Sequence, residues 1–129
     1  MAIRLSSITA RQNKPRPPLE REVQKAVRAY LQSLGAVVVR VNSGMIAREC
    51  KGKRHVMRGN DQPGCSDLLV CLRGRFIAVE VKRIGGTLTN LQLSFLGMVE
   101  RAGGLAFCTT GIDDLRVQLR QAGIMEAVT

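Results

Sequence analysis

The chain has no tryptophan, one tyrosine and three phenylalanines, so a folded core must be assembled from Val, Leu, Ile, Ala and Met. It has one histidine, His55, with no Ser or Cys partner that spacing identifies, which argues against chemistry built on a histidine base. No stretch approaches the ~20 apolar residues of a membrane span. The N-terminus carries no apolar run of the signal-peptide kind, so the reading expects a cytoplasmic protein that is not secreted. None of the four cysteines (Cys50, Cys65, Cys71, Cys108) sits in a C-x-x-C pair, which argues against a zinc site. Without an export signal disulfides are not expected either, and the cysteines read mostly as small buried hydrophobes.

Acidic residues are also scarce, 10 against 20 Lys and Arg, for a net charge of +10 in 129 residues. That excess favours a polyanionic partner, because neutralising phosphates releases condensed counterions. Nucleic acid is the leading candidate, with a membrane surface or a plain basic protein as the other readings. The length suits one domain, and 45% apolar residues suit a folded one. Residues 1–18 hold Arg4, Arg11, Lys14 and Arg16, three prolines and no acid, and read as a flexible basic arm ahead of a domain over 19–129.

Val23, Val27, Tyr30, Leu31 and Leu34 recur at helical spacing, which predicts a helix over 19–34 closed by Gly35. The β-branched run 36–41 predicts a strand. Residues 42–64, with four glycines, read as one long loop, a length that in a compact domain signals function or mobility. Two apolar runs, 66–72 and 75–82, flank Arg73-Gly74 and predict a β-hairpin. An amphipathic helix over 89–102, a strand over 105–109 and a helix over 113–121 complete an α/β chain of order α-β-β-β-α-β-α.

The hairpin carries the chemistry. With Arg73-Gly74 as a two-residue turn, Leu72 faces Arg75, and counting back puts Asp67 directly opposite Glu80. Facing Cβ atoms lie roughly 4.5–5.5 Å apart, so two carboxylates there repel. A shared proton, a basic neighbour or a bound cation would relieve them. Oxygen ligands at this spacing suit Mg²⁺ or Mn²⁺. Lys82, two residues beyond Glu80, belongs on the same face. The spacing of Glu80 and Lys82 alone favours a structural ion pair at a sheet edge; with Asp67 placed across the hairpin the functional and structural readings stand level. Glu20 falls within the apolar stripe of the first helix, either pointing toward the sheet or complementing the helix dipole.

Pro63-Gly64-Cys65-Ser66-Asp67 followed by Val79-Glu80-Val81-Lys82 resembles the PD-(D/E)xK nuclease superfamily, and more closely its VRR-NUC (virus-type replication-repair nuclease) family. The series of Glu20, Gly64-Cys65-Ser66-Asp67-Leu68, Glu80-Val81-Lys82 and Gln92 runs in that family's order over about residues 19–110. The resemblance implies a restriction-endonuclease-like core with a mixed central sheet flanked by helices. It implies a metal-dependent phosphodiesterase in which Glu20, Asp67, Glu80 and the Val81 carbonyl hold Mg²⁺ or Mn²⁺. Lys82 would orient the attacking water and stabilise charge on the phosphate. Gln92 would line the site; its other role is local, since Thr89-Asn90-Leu91-Gln92 is a capping box. The resemblance also implies a homodimer suited to branched DNA in repair, recombination or phage replication.

Arg48, Lys51, Lys53, Arg54 and Arg58 read as phosphate contacts near that site or as a solvated charge run. Two rival functions stand beside the nuclease: a non-catalytic nucleic-acid-binding module, and a metal-free ribonuclease or ribosome-associated basic protein.

Overall fold

The computed structural model describes residues 15–41 and 45–125, which leaves most of the N-terminal arm outside the described residues. Among the described residues, three helices, a mixed four-stranded sheet and a two-stranded ribbon make up the fold. The elements are α1 (Glu20–Ser33), β1 (Val37–Arg40), β2 (Met45–Cys50), β3 (Lys53–Arg58), β4 (Leu68–Leu72), β5 (Arg75–Val81), α2 (Asn90–Arg101), β6 (Leu105–Thr109) and α3 (Ile112–Gln121). This differs from the expected order by two strands. Residues 42–64 are not one long loop, because β2 and β3 pair antiparallel into a separate two-stranded ribbon. They turn at Lys51-Gly52, both with positive φ, the backbone of a type I′ hairpin turn.

The four-stranded sheet runs β1-β4-β5-β6. β1 and β5 pair antiparallel with β4, while β6 is parallel to β5 and is reached through α2. Arg73 and Gly74 both have positive φ and form the expected two-residue turn, which pairs Leu72 with Arg75 and Leu68 with Val79. One more step along that register sets Asp67 against Glu80.

Strand alternation sorts the sheet into two faces. Leu68, Val70, Leu72, Ile77, Val79 and Val81 point to one side, where Val23, Val27 and Leu31 of α1 and Leu115 and Leu119 of α3 pack on them. Most of these side chains are fully buried, each contributing about 1.5–3 kcal/mol. The opposite face has a smaller cluster of Ala78, Leu96 and Val99, covered by α2 alone. Glu80 shares this second face, displaced toward the strand end beyond Ala78. The α1 side is therefore the stabilising core, and the α2 side holds the polar residues of interest.

The cysteines depart from expectation. All four are free; Cys65 is buried and Cys108 half-buried, but Cys50 and Cys71 are exposed. Cys71 lies between the buried Val70 and Leu72, and the pleat turns it outward.

Candidate active site

Four segments meet at the end of the sheet where β4 begins and β5 ends. Asp67 enters from the loop before β4. Its carbonyl accepts from Val41 N–H (2.8 Å), and its Oδ2 accepts from Val81 N–H (2.8 Å). The carboxylate is thus fixed against the end of β5, beside Glu80.

Glu80 is only 2% exposed. Its Oε1 accepts from Gln92 Nε2 at 3.0 Å and lies 3.9 Å from Lys82 Nζ. Its Oε2 is buried with no hydrogen-bond partner. An ionised carboxylate only accepts, so Asp67 can satisfy that oxygen only through a proton held between the two groups. Burial above all, then the charge of Asp67, pushes the Glu80 carboxyl from its ordinary 4.5 up to about 8, against the downward pull of Lys82.

The surroundings sharpen this. Cys108 of β6 is the register partner of Glu80, and Cys65 lies just ahead of Asp67. Burial first, then the Glu80 charge, pushes both thiols above their ordinary value, keeping them neutral walls rather than anionic ligands. Lys82 is tied to β6 through its N–H, which donates to the Thr109 carbonyl at 2.9 Å, and its side chain is 16% exposed. Lys82, Asp67 and Gln92 are each half-buried, whereas Glu80 is closed off from solvent.

Gln92 closes the capping box and also reaches Glu80. Its backbone N–H donates to Thr89 Oγ1 (3.2 Å), while its side-chain oxygen accepts from Thr89 N–H (2.9 Å), closing the capping box of α2. The remaining amide nitrogen is then free to donate to Glu80. This arrangement requires the loop before Asp67 to touch the start of α2. Gly64 permits it: its φ is +71°, and a Cβ there would overlap the Leu91 carbonyl and come within 2.8 Å of Gln92 N. Gly64 and Cys65 belong to the motif before Asp67, but their contacts in the site, like the whole part of Cys108, follow only from tertiary structure.

Other expected members stand apart. Glu20 is half-buried at the start of α1, and among the described residues no three His, Cys, Asp or Glu side chains stand together to hold a metal ion. Two carboxylates are brought together, and Glu20 is not brought to them. Arg48, Lys51, Lys53 and Arg54 are all exposed on the β2–β3 ribbon; the Arg58 side chain lies outside the described residues. His55 faces Arg48 across that ribbon.

No family model matches the chain, and no curated protein matches its sequence. Among the described residues no helix is long and apolar enough to cross a membrane.

Proposed function

We propose that the protein is a Mg²⁺- or Mn²⁺-dependent nuclease that hydrolyses phosphodiester bonds of DNA on a core of the PD-(D/E)xK type. The observation that carries this reading is the buried, partnerless Glu80 Oε2 beside the Asp67 carboxylate, with Lys82 on the same face. The donor set fits a hard cation: two carboxylates, one with an unsatisfied buried oxygen, enclosed by neutral walls. Asp67 and Glu80 would hold it, with the Val81 carbonyl as the further ligand that the family resemblance implies; Glu20, which the resemblance adds, stands apart from the pair. When bound, such an ion lowers the pKa of water and neutralises charge developing on the phosphate.

The chain's own groups divide the remaining work. Val81 N–H fixes the Asp67 carboxylate, and the Gln92 amide fixes that of Glu80, so neither need reorganise when substrate arrives. Lys82 orients the attacking water and carries positive charge to the scissile phosphate. The buried walls lower the local dielectric, which strengthens each of these interactions. The exposed basic ribbon supplies contacts to the phosphate backbone without reading bases. The protein would act in the cytoplasm of a bacterial or phage-infected cell. A homodimer would suit branched DNA, each subunit cutting one strand, and the exposed Val37, Val39 and Phe76 offer apolar surface for such pairing.

The test is a panel of single-stranded, duplex, flap and four-way DNA and RNA incubated with Mg²⁺, Mn²⁺ or EDTA, comparing wild type with Asp67→Ala. Cleavage is expected only with metal and only by wild type. Binding without cleavage under every metal condition would instead favour the non-catalytic module, whose support is the same basic ribbon. Cleavage of RNA that survives EDTA would favour a metal-free ribonuclease.

A further inference from the structure

Between α1 and the end of β1 lies a trough of ≈ 570 Å³ lined by Arg21, Glu22, Gln24, Lys25, Arg28 and Arg40. Arg21, Lys25 and Arg28 follow i, i+4, i+7 spacing and share one side of α1. Arg40 joins them from the edge strand, its Nε donating to Gln24 Oε1 at 2.8 Å. The one acid in the lining is already engaged: Glu22 accepts from Arg16 (3.1 Å) and from the Leu19 N–H (3.0 Å). None of the four lining cations has an ion pair among the described residues. Like charges so arranged repel, and a bound anion would relieve them.

We infer that this trough is a second tract for nucleic-acid phosphates, separate from the basic ribbon and from the carboxylate site. The choice of DNA as polymer rests on the nuclease reading above; the tract itself rests on the charges. A lipid surface fits less well. A membrane-binding helix sets apolar residues beside its basic ones for insertion, whereas the apolar residues Val23, Val27 and Leu31 of α1 are buried in the core. The trough's location also suits a polymer. Only Leu34, Gly35 and Ala36 separate α1 from β1, so α1 runs back along β1 and its first turns sit at the end of the sheet where Arg40 lies. Arg40 pairs with Leu68, the residue after Asp67, and Val41 N–H is bonded to the Asp67 carbonyl. The trough and the carboxylates therefore lie at the same end of the sheet, on opposite faces. From Arg21 to Arg28 the helix rises about 10 Å, which spans roughly three phosphates of one strand at about 3.4 Å each.

The test measures binding of a fluorescein-labelled DNA duplex by anisotropy, in EDTA, across a salt series, with the full chain. Three variants are compared with wild type: Arg21→Gln/Arg28→Gln in the trough, Arg21→Lys/Arg28→Lys preserving its charge, and Arg75→Gln/Arg101→Gln removing equal charge elsewhere. Each lost phosphate contact lowers the slope of log affinity against log salt by about 0.9, so the first variant should lose about 1.8 and bind at least tenfold more weakly at low salt. The second and third should keep the wild-type slope. An unchanged slope in the first variant overturns the inference, as does an equal fall in the first and third. Wild type without salt-dependent affinity for DNA overturns it too, and so does a trough variant that loses only its binding to phosphatidylserine vesicles. A trough variant that behaves as expected, in a protein that cuts nothing with any metal, upholds the tract while refuting the nuclease reading.

Discussion

Glu80→Gln should make the metal-free protein more stable while removing its metal site. In the folded chain burial and Asp67 raise the Glu80 carboxyl to about 8, against 4.5 for the unconstrained group. Between those values the folded state binds a proton that the unfolded state does not, so stability falls as pH rises through the window. The penalty is absent below 4.5 and fully present above 8. At about 1.4 kcal/mol per unit the shift bounds it near 5 kcal/mol. Relaxation around the pair and local water reduce the expected value to about 2–4 kcal/mol. Glutamine removes the charge and keeps the shape. Its oxygen can still accept from Gln92 Nε2, and its amide supplies the donor that Asp67 lacks. The difference in unfolding free energy between variant and wild type should therefore be near zero at pH 4.5 and grow to about 2–4 kcal/mol by pH 8.5, roughly 6–15 °C in melting temperature for a domain this size. Urea unfolding in EDTA at several pH values reads it directly. A variant that is less stable than wild type at pH 8.5, or a difference independent of pH, would refute the account of the buried pair.

Lys82→Ala should lower cleavage at least about a hundredfold, the usual loss for one aimed electrostatic group, while circular dichroism and DNA affinity remain near wild type; unchanged turnover would remove Lys82 from the site. Gln92→Ala strips both the α2 cap and the Glu80 donor, and should cost about 1–3 kcal/mol in chemical denaturation. Gln92→Glu keeps the cap but adds a third carboxylate, so at pH 8 it should be the worse of the two. Gly64→Ala combines a left-handed backbone with overlap of the Leu91 carbonyl, and should cost about 3 kcal/mol or more and weaken the Gln92–Glu80 contact; a near-neutral result would mean that the loop and α2 separate freely. Protons and cations compete for the same oxygens, so the rise in melting temperature on adding Mn²⁺ should be larger at pH 8.5 than at pH 5 and absent in Asp67→Asn. Equal rises at both pH values would separate metal binding from the carboxylates.

The hairpin was legible because three local signals agreed: two β-rich apolar runs, a two-residue turn ending in glycine, and alternation that carries every side chain along with the register. Asp67 against Glu80 is a consequence of counting once Arg73-Gly74 is the turn. The same kind of turn at Lys51-Gly52 is less legible, because its immediate flanks, Arg48-Glu49-Cys50 and Lys53-Arg54-His55, carry charge and no apolar alternation. Residues 47–57 of that ribbon are all exposed, so propensity and turn chemistry rather than a core shape them. The exposed Cys71 was readable from parity between Val70 and Leu72, although the general tendency of cysteine pointed inward. Gln92 shows where reading one residue at a time stops. A capping box and a site contact looked like alternatives, yet one side-chain amide has an oxygen for the first and a nitrogen for the second. The role of Gly64 was invisible in principle, since the carbonyl it makes room for lies 27 positions along the chain, at Leu91. Glu20 lies in the apolar stripe of its helix, but a helical wheel has no coordinate for the distance to another element.

Burial, more than closeness, gives the carboxylate pair its character. Two charges 5 Å apart in water repel by only about 0.8 kcal/mol, too little to shape a site. With Glu80 buried, a single amide donor and a lysine at 3.9 Å, the same pair carries a penalty several times larger. A fold gains nothing structurally from keeping Glu80 there, because an uncharged isostere satisfies the same contacts better. The larger apolar cluster on the opposite face must offset the cost. A selection for thermal stability alone, with no demand for activity, should therefore replace position 80 or 67 early. A selection that requires cleavage should hold both and find its gains elsewhere, and if the two selections leave the same residues at 67 and 80, the pair is structural after all.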